Sequence, residues 1–178
     1  MSVKKEDKKM KNYILLLPLL YLFHDFEEMI GFGWFFRRNP QLFKKHPRLT
    51  AAYRDFTQEG FVLAVFEQLI FFFGGLSLLA YYFPCRPLYG IWFGMLLALT
   101  GHFVVHIAVC IYVRKIIPSL FTSIICLPIG ILIIIKTAAL LNFDTLTTTF
   151  TVLTIPTMMA NMKLGHVSMF SLGKCFYR

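Results

Sequence analysis

Residues 13–36 read YILLLPLLYLFHDFEEMIGFGWFF. From Tyr13 to Gly33 the run is apolar except at His24-Asp25-Phe26-Glu27-Glu28. An uninterrupted run of roughly 20 apolar residues reads as a membrane-crossing helix. A helix through this stretch carries four ionisable side chains at bilayer depth. Each costs about 2.5–3.5 kcal/mol on insertion scales, so such groups face a protein interior and mark a function.

The rest of the chain agrees with a membrane setting. Of 178 residues, 57% are hydrophobic, 15% are charged and 20 are Phe, which is too apolar for a soluble domain of this length. The predicted spans are 13–33, 59–83, 88–113 and 116–135. A weaker fifth, 146–164, lies in a segment with seven Thr between Thr145 and Thr157. Threonine returns its hydroxyl to the carbonyls of its own helix, so such a span is tolerable. The runs are continuous rather than alternating, which excludes a β-barrel. The expectation is an all-α polytopic membrane protein with four to five transmembrane helices and a buried His/Glu cluster.

The Lys-rich head before residue 13 resembles a signal-peptide n-region, but no small-residue cleavage site follows and HDFEE interrupts the apolar part. The first run reads as a retained helix. Residues 1–12 form a polar Lys-rich tail, expected to be disordered, and 13–178 form one helical domain. The net charge of +9 lies in that tail and between the spans, where it sets topology and attracts anionic lipid heads rather than nucleic acid. With five spans, the face holding loop 34–57 carries eleven Lys and Arg against seven opposite, while the tail lysines pull the other way. Loop 34–57 interleaves aromatics with Arg and Lys, as either an interfacial segment or a solvated basic loop does. Cys85, Cys110, Cys126 and Cys175 are scattered without a C-x-x-C, and read as apolar packing residues.

His24, Glu27 and Glu28 stand at i, i+3 and i+4, on one helical face. Gly31 extends that face and Asp25 lies beside it. His102 and His106 stand at i and i+4 in the third span, the spacing by which one helix offers two metal ligands. Glu67 lies alone in the second span. At ~1.5 Å of rise per residue from the loop 34–57 face, Glu27 and Glu28 lie about 8–9 Å deep and His24 about 14 Å. Glu67 and His106 lie about 11 Å deep, and His102 about 17 Å. Asn161 and His166 approach the same face if the fifth helix exists. Imidazoles and carboxylates together form the ligand set of Zn²⁺, Fe²⁺ or Mn²⁺. Six groups exceed four-coordinate zinc, so either some act as acid or base or two metals bind. A metal-free buried polar network is the alternative.

At these residues the chain resembles the HXXEE-motif membrane proteins, a largely uncharacterised bacterial group. The motif is His24-Asp25-Phe26-Glu27-Glu28, followed by Gly31-Phe32 and Trp34-Phe35. His102 and His106, then Tyr112-Val113-Arg114 and Pro118-Ser119-Leu120-Phe121-Thr122, are similar to the family's His, Arg and Tyr-x-Pro-Gly-x-x-Thr block. Ser119 stands where the family often has Gly. The likeness covers roughly residues 13–130. It implies a multi-pass protein of the bacterial cell membrane that binds metal, with no established reaction.

The leading functional expectation is a divalent-metal-dependent enzyme acting on a lipid-like or amphiphilic substrate, a hydrolase before an oxidoreductase, because five His are too few for clustered histidine boxes. His24, Glu28, His102 and His106 are the expected metal ligands. Glu27 or Glu67 is the expected base or an additional ligand, and Arg114 is expected to bind a substrate phosphate or carboxylate. A proton or divalent-cation transporter component, which calls for a homo-oligomer, and a metal-free binding or immunity-type protein are the other classes.

Overall fold

The computed structural model describes residues 3–176, with side chains from 6 to 165. His166 and Cys175 lie outside the residues whose side chains are described. The chain is helical almost throughout: α1 (Val3–Ile14), α2 (Leu16–Arg38), α3 (Gln41–Lys45), α4 (Gln58–Tyr82), α5 (Arg86–Val113), α6 (Leu120–Ala138) and α7 (Thr145–Phe176). Among the described residues, three of these, α4, α5 and α6, are long and apolar enough to cross a membrane. The expected first and fifth spans form helices α2 and α7, but their charged residues and threonines keep them out of that set.

The expected disordered tail is instead helix α1, and it packs. Met10 and Ile14 are buried in the core. The Tyr89 hydroxyl donates to Asp7 Oδ1 (2.9 Å), and the Lys11 ammonium sits 4.8 Å from the Tyr81 ring centroid. Pro18 explains why α1 and α2 are separate. It has no N–H for the Ile14 carbonyl four residues back, and its ring crowds that oxygen. The Trp92 indole N–H donates to the freed Ile14 carbonyl at 3.0 Å, from a fully buried side chain.

Inside α4, residues Leu69–Gly74 widen into a π-helical turn. A Cβ on Gly74 would lie 2.5 Å from the Leu69 carbonyl oxygen, and Gly75 stands in the same relation to Ile70. The glycine pair therefore makes room for the wide turn within its own helix. The turn sets Phe73 against Tyr21 of α2, with ring centroids 4.2 Å apart.

Glycines also seat α7 on α5. A Cβ at Gly90 would lie 2.5 Å from the Thr147 carbonyl oxygen, and one at Gly94 2.7 Å from that of Thr151. Small residues four apart let helices approach this closely. Facing them, Thr151 and Thr154 give their hydroxyls to carbonyls one turn back at 2.9 and 2.7 Å, and the exposed Thr157 does the same at 2.8 Å, as expected of a Thr-rich helix. Asp144 starts α7 by accepting the Thr147 N–H (2.9 Å) and also pairs with Arg86 (2.7 Å). The Thr147 amide, with Arg86 behind it, holds the Asp144 carboxyl below its ordinary value.

The connection from α2 to α4 is two-sided. Arg37, Arg38, Lys44, Lys45, Arg48 and Arg54 are exposed, while Phe36 packs against Phe32, Phe43, Tyr53 and Phe56 beneath them. That sidedness is what a surface-lying segment requires.

Gly94→Leu is expected to destabilise the protein by about 1–3 kcal/mol, the usual cost of overpacking a close contact. Gly101→Leu, at a position with nothing within 4 Å, serves as the control and stays near wild type. Thermal unfolding in detergent checks the pair.

Candidate functional site

The residues His24, Glu28, His102 and His106 converge. One ligand atom from each lies within 4.8 Å of the others. His24 and Glu28 are one turn apart on α2, and His102 and His106 one turn apart on α5, as their spacing predicts. His24 is fully buried, Glu28 is 4% exposed, and His106 retains 12% of its side-chain exposure. Glu28 Oε1 lies 3.0 Å from His106 Nε2 and 3.7 Å from His24 Nε2. His102 Nε2 and His106 Nε2 are 2.6 Å apart. Two bare lone pairs repel at that distance, so a proton or another cation must stand between them.

The outer nitrogens of two imidazoles are tied to hydroxyls. His24 Nδ1 lies 3.0 Å from Thr122 Oγ1, and His106 Nδ1 lies 2.8 Å from Ser119 Oγ. Thr122 has one proton to give. Glu27 Oε2 takes it at 2.7 Å, a charge-assisted bond stronger than the 3.4 Å alternative to the Ser119 carbonyl. Thr122 Oγ1 therefore accepts from His24 Nδ1–H, and His24 Nε2 is left with its lone pair. That nitrogen and Glu28 Oε1 are both buried and make no hydrogen bond.

Glu27 also accepts the Thr122 backbone N–H at 2.8 Å. Thr122 lies in the first turn of α6, where N–H groups lack intrahelical partners and favour a carboxylate. Glu27 thus caps α6 from α2. Gly31, one turn further along α2, lies where a side chain would collide with Pro118, so the two segments approach closely.

Ser119 sits at φ 106°, ψ −16°, backbone that favours glycine. For other residues such conformations cost on the order of 1–3 kcal/mol and persist where the surroundings impose them. Here a serine takes glycine's backbone and adds a hydroxyl at His106.

The remaining expected site residues lie elsewhere. Glu67, on α4, faces α7, with a Cβ at Gly165 3.5 Å from its Oε2, and it does not join the four-residue group. Arg114 is exposed and ends α5: it has φ 55°, and the N–H groups of Arg114 and Lys115 bond the carbonyls of Ile111 and Cys110 at 3.3 Å. This is the paired closing bond of a left-handed helix terminus, usually built on Gly.

A cavity of about 380 Å³ adjoins the group, and Glu28, His102 and His106 line it. Its walls are mainly aromatic and aliphatic, with Leu42, Leu49 and Tyr53 of the α2–α4 connection among them. Asp25, Gln68 and Lys163 also line it, whereas Arg114 does not. Sequence reasoning missed Thr122, Ser119 and Lys163 as parts of the site or its surroundings. Their contacts run between helices, where spacing along one helix carries no information.

No curated protein and no solved structure matches the chain. The model of a family described as "Protein of unknown function with HXXEE motif" matches residues 15–133, a stretch that holds α2 and both histidines of α5. The chain belongs to this HXXEE family.

Proposed function

We propose that His24, Glu28, His102 and His106 hold one divalent metal ion, and that the protein is a metal-dependent enzyme acting on an amphiphilic substrate in the adjoining cavity. The carrying observation is the pair of buried atoms without hydrogen bonds, His24 Nε2 and Glu28 Oε1, which converge with two further imidazoles. A buried polar atom left unmatched calls for an ion or a water. The hydroxyls on His24 and His106 support the same reading, because ligating imidazoles are oriented through their second nitrogen.

One ion is favoured over two. Glu27 is committed to Thr122 and Glu67 lies toward α7 outside the group, which leaves four converging donors among the described residues. Four protein ligands close a zinc tetrahedron, whereas catalysis needs a further position. The enzyme reading therefore favours a five- or six-coordinate ion, with iron or manganese before zinc. A bound metal supplies Lewis acidity and an activated water, the chemistry of hydrolysis. The cavity supports a substrate drawn from the membrane: Val105 on α5 and Met159 on α7 line it and are more than half exposed, which opens the cavity sideways between these helices.

A second reading follows from the same four ligands. A closed site would be a structural clamp joining α2 to α5, and metal removal would then lower stability with no separate effect on catalysis.

Elemental mass spectrometry of protein purified without chelator or a His tag is expected to find about one iron, manganese or zinc per chain. A folded His24→Ala, Glu28→Gln variant should lose it. A metal-free parent after supplementation would overturn the proposal.

Thr122→Val removes the hydroxyl that fixes His24, and second-partner losses of this kind weaken metal binding about 10–100-fold. Thr122→Ser should restore it, as chelator competition would show. Ser119→Gly is expected to split two readouts. Backbone strain is relieved, so thermal stability holds or rises, while metal affinity falls because His106 loses its hydroxyl.

A further inference from the structure

Asp25 belongs to neither the four-residue group nor the cap on α6. It is 5% exposed, lines the cavity, and its Oδ2 has no hydrogen-bond partner. The Tyr21 hydroxyl hydrogen-bonds with Asp25 and also lies 3.2 Å from the Val65 carbonyl, so this partner is neutral. Among the lining residues Lys163 alone is lysine or arginine, and it is exposed. Among the described residues the cavity therefore holds a buried acceptor with no buried lysine or arginine to match it.

The surrounding walls are rings. Tyr21 stacks on Phe73, and Phe32 stands edge-on to Tyr53 and tilted against Phe61, with centroids 4.2–5.6 Å apart. All five line the cavity. Ring faces attract cations, and a carboxylate among aromatic rings is the usual receptor for an organic ammonium. A carboxylate or phosphate head would meet Asp25 as a like charge in a poorly hydrated space, which is costly.

We propose that the cavity binds an amphiphile whose polar end is an ammonium group, with Asp25 as its counter-ion and the rings of Tyr21, Phe32, Tyr53, Phe61 and Phe73 around it. This takes the cavity as the substrate site, as above, but does not depend on the metal.

The test uses full-length, chelator-treated protein in detergent, with decylamine, decanol and decanoate as probes of equal chain length. Saturable thermal stabilisation by decylamine is expected, with at least about tenfold tighter binding than either other probe. Asp25→Asn should lose that preference, Asp25→Glu should retain part of it, and Glu28→Gln should leave it intact. Equal or tighter binding of decanoate or decanol would overturn the proposal. So would an unchanged preference in a folded Asp25→Asn variant, or its loss only in Glu28→Gln, which would place the ammonium at the metal ligands. Where Asp25→Asn does not fold, the wild-type comparison decides. The metal proposal is tested separately by elemental content, so either can fail without the other.

Discussion

A carboxylate and three imidazoles packed into an apolar helical bundle must be matched atom by atom, because each unmatched buried polar atom costs on the order of 1–3 kcal/mol. Thr122 does part of this matching, for His24 and for the neighbouring Glu27. Its hydroxyl gives a proton to Glu27 and takes one from His24, and its backbone N–H goes to the same carboxylate. One residue thereby joins α2 to the start of α6, caps α6 and fixes which nitrogen of His24 faces Glu28. Ser119, three residues earlier, serves His106 on α5. The start of α6, from Ser119 to Thr122, is thus the piece that sets both imidazole orientations, although it supplies none of the four ligands.

Close backbone contacts help to build the bundle around this centre. Gly90 and Gly94 draw the Thr face of α7 onto α5, and Gly31 draws α2 onto Pro118. Apolar burial drives helix association weakly in a bilayer, because lipid tails are as apolar as leucine. Close approach and hydrogen bonds replace it. The connection between α2 and α4 then covers one end of the cavity with Leu42, Leu49 and Tyr53, keeping its basic residues outside. The π turn in α4 contributes Phe73 to the same wall.

What was legible in the sequence is what a single helix determines. The spacing of His24 to Glu28 and of His102 to His106 gave each pair a common face, and the shared depth placed the pairs opposite one another. The structure brings those four together. Depth alone could not separate Glu67 from them, since two groups at one level still point in different directions around the bundle. Arg114 looked like a mouth residue because its charge stands at a helix end; its backbone shows that it closes that end. The tail of lysines concealed an amphipathic helix, whose Met10 and Ile14 form too short a stripe to outweigh five charges by composition. The capping role of Glu27 was hidden for a deeper reason. Its partners are the amide and hydroxyl of a residue 95 positions away, and no local pattern announces a cap supplied from another helix.

The five residues of the motif separate into four environments for a geometric reason. Successive side chains on a helix turn by about 100°. Taking His24 as the origin, Glu28 lies about 40° to one side with Asp25 at about 100°, Glu27 lies about 60° to the other side, and Phe26 points nearly opposite. The order around α2 is therefore Glu27, His24, Glu28, Asp25. The structure matches that order: Glu27 at the α6 cap, His24 and Glu28 in the four-residue group, Asp25 in the cavity wall, and Phe26 half exposed on the outer surface. Three neighbouring carboxylates would repel if they shared one site. Spread over about 160° of helix, each meets a different partner: a helix start, a set of imidazoles and an apolar chamber. Moving either glutamate one residue toward the N-terminus would send the ligand to the cap position and the cap to the outer face of Phe26.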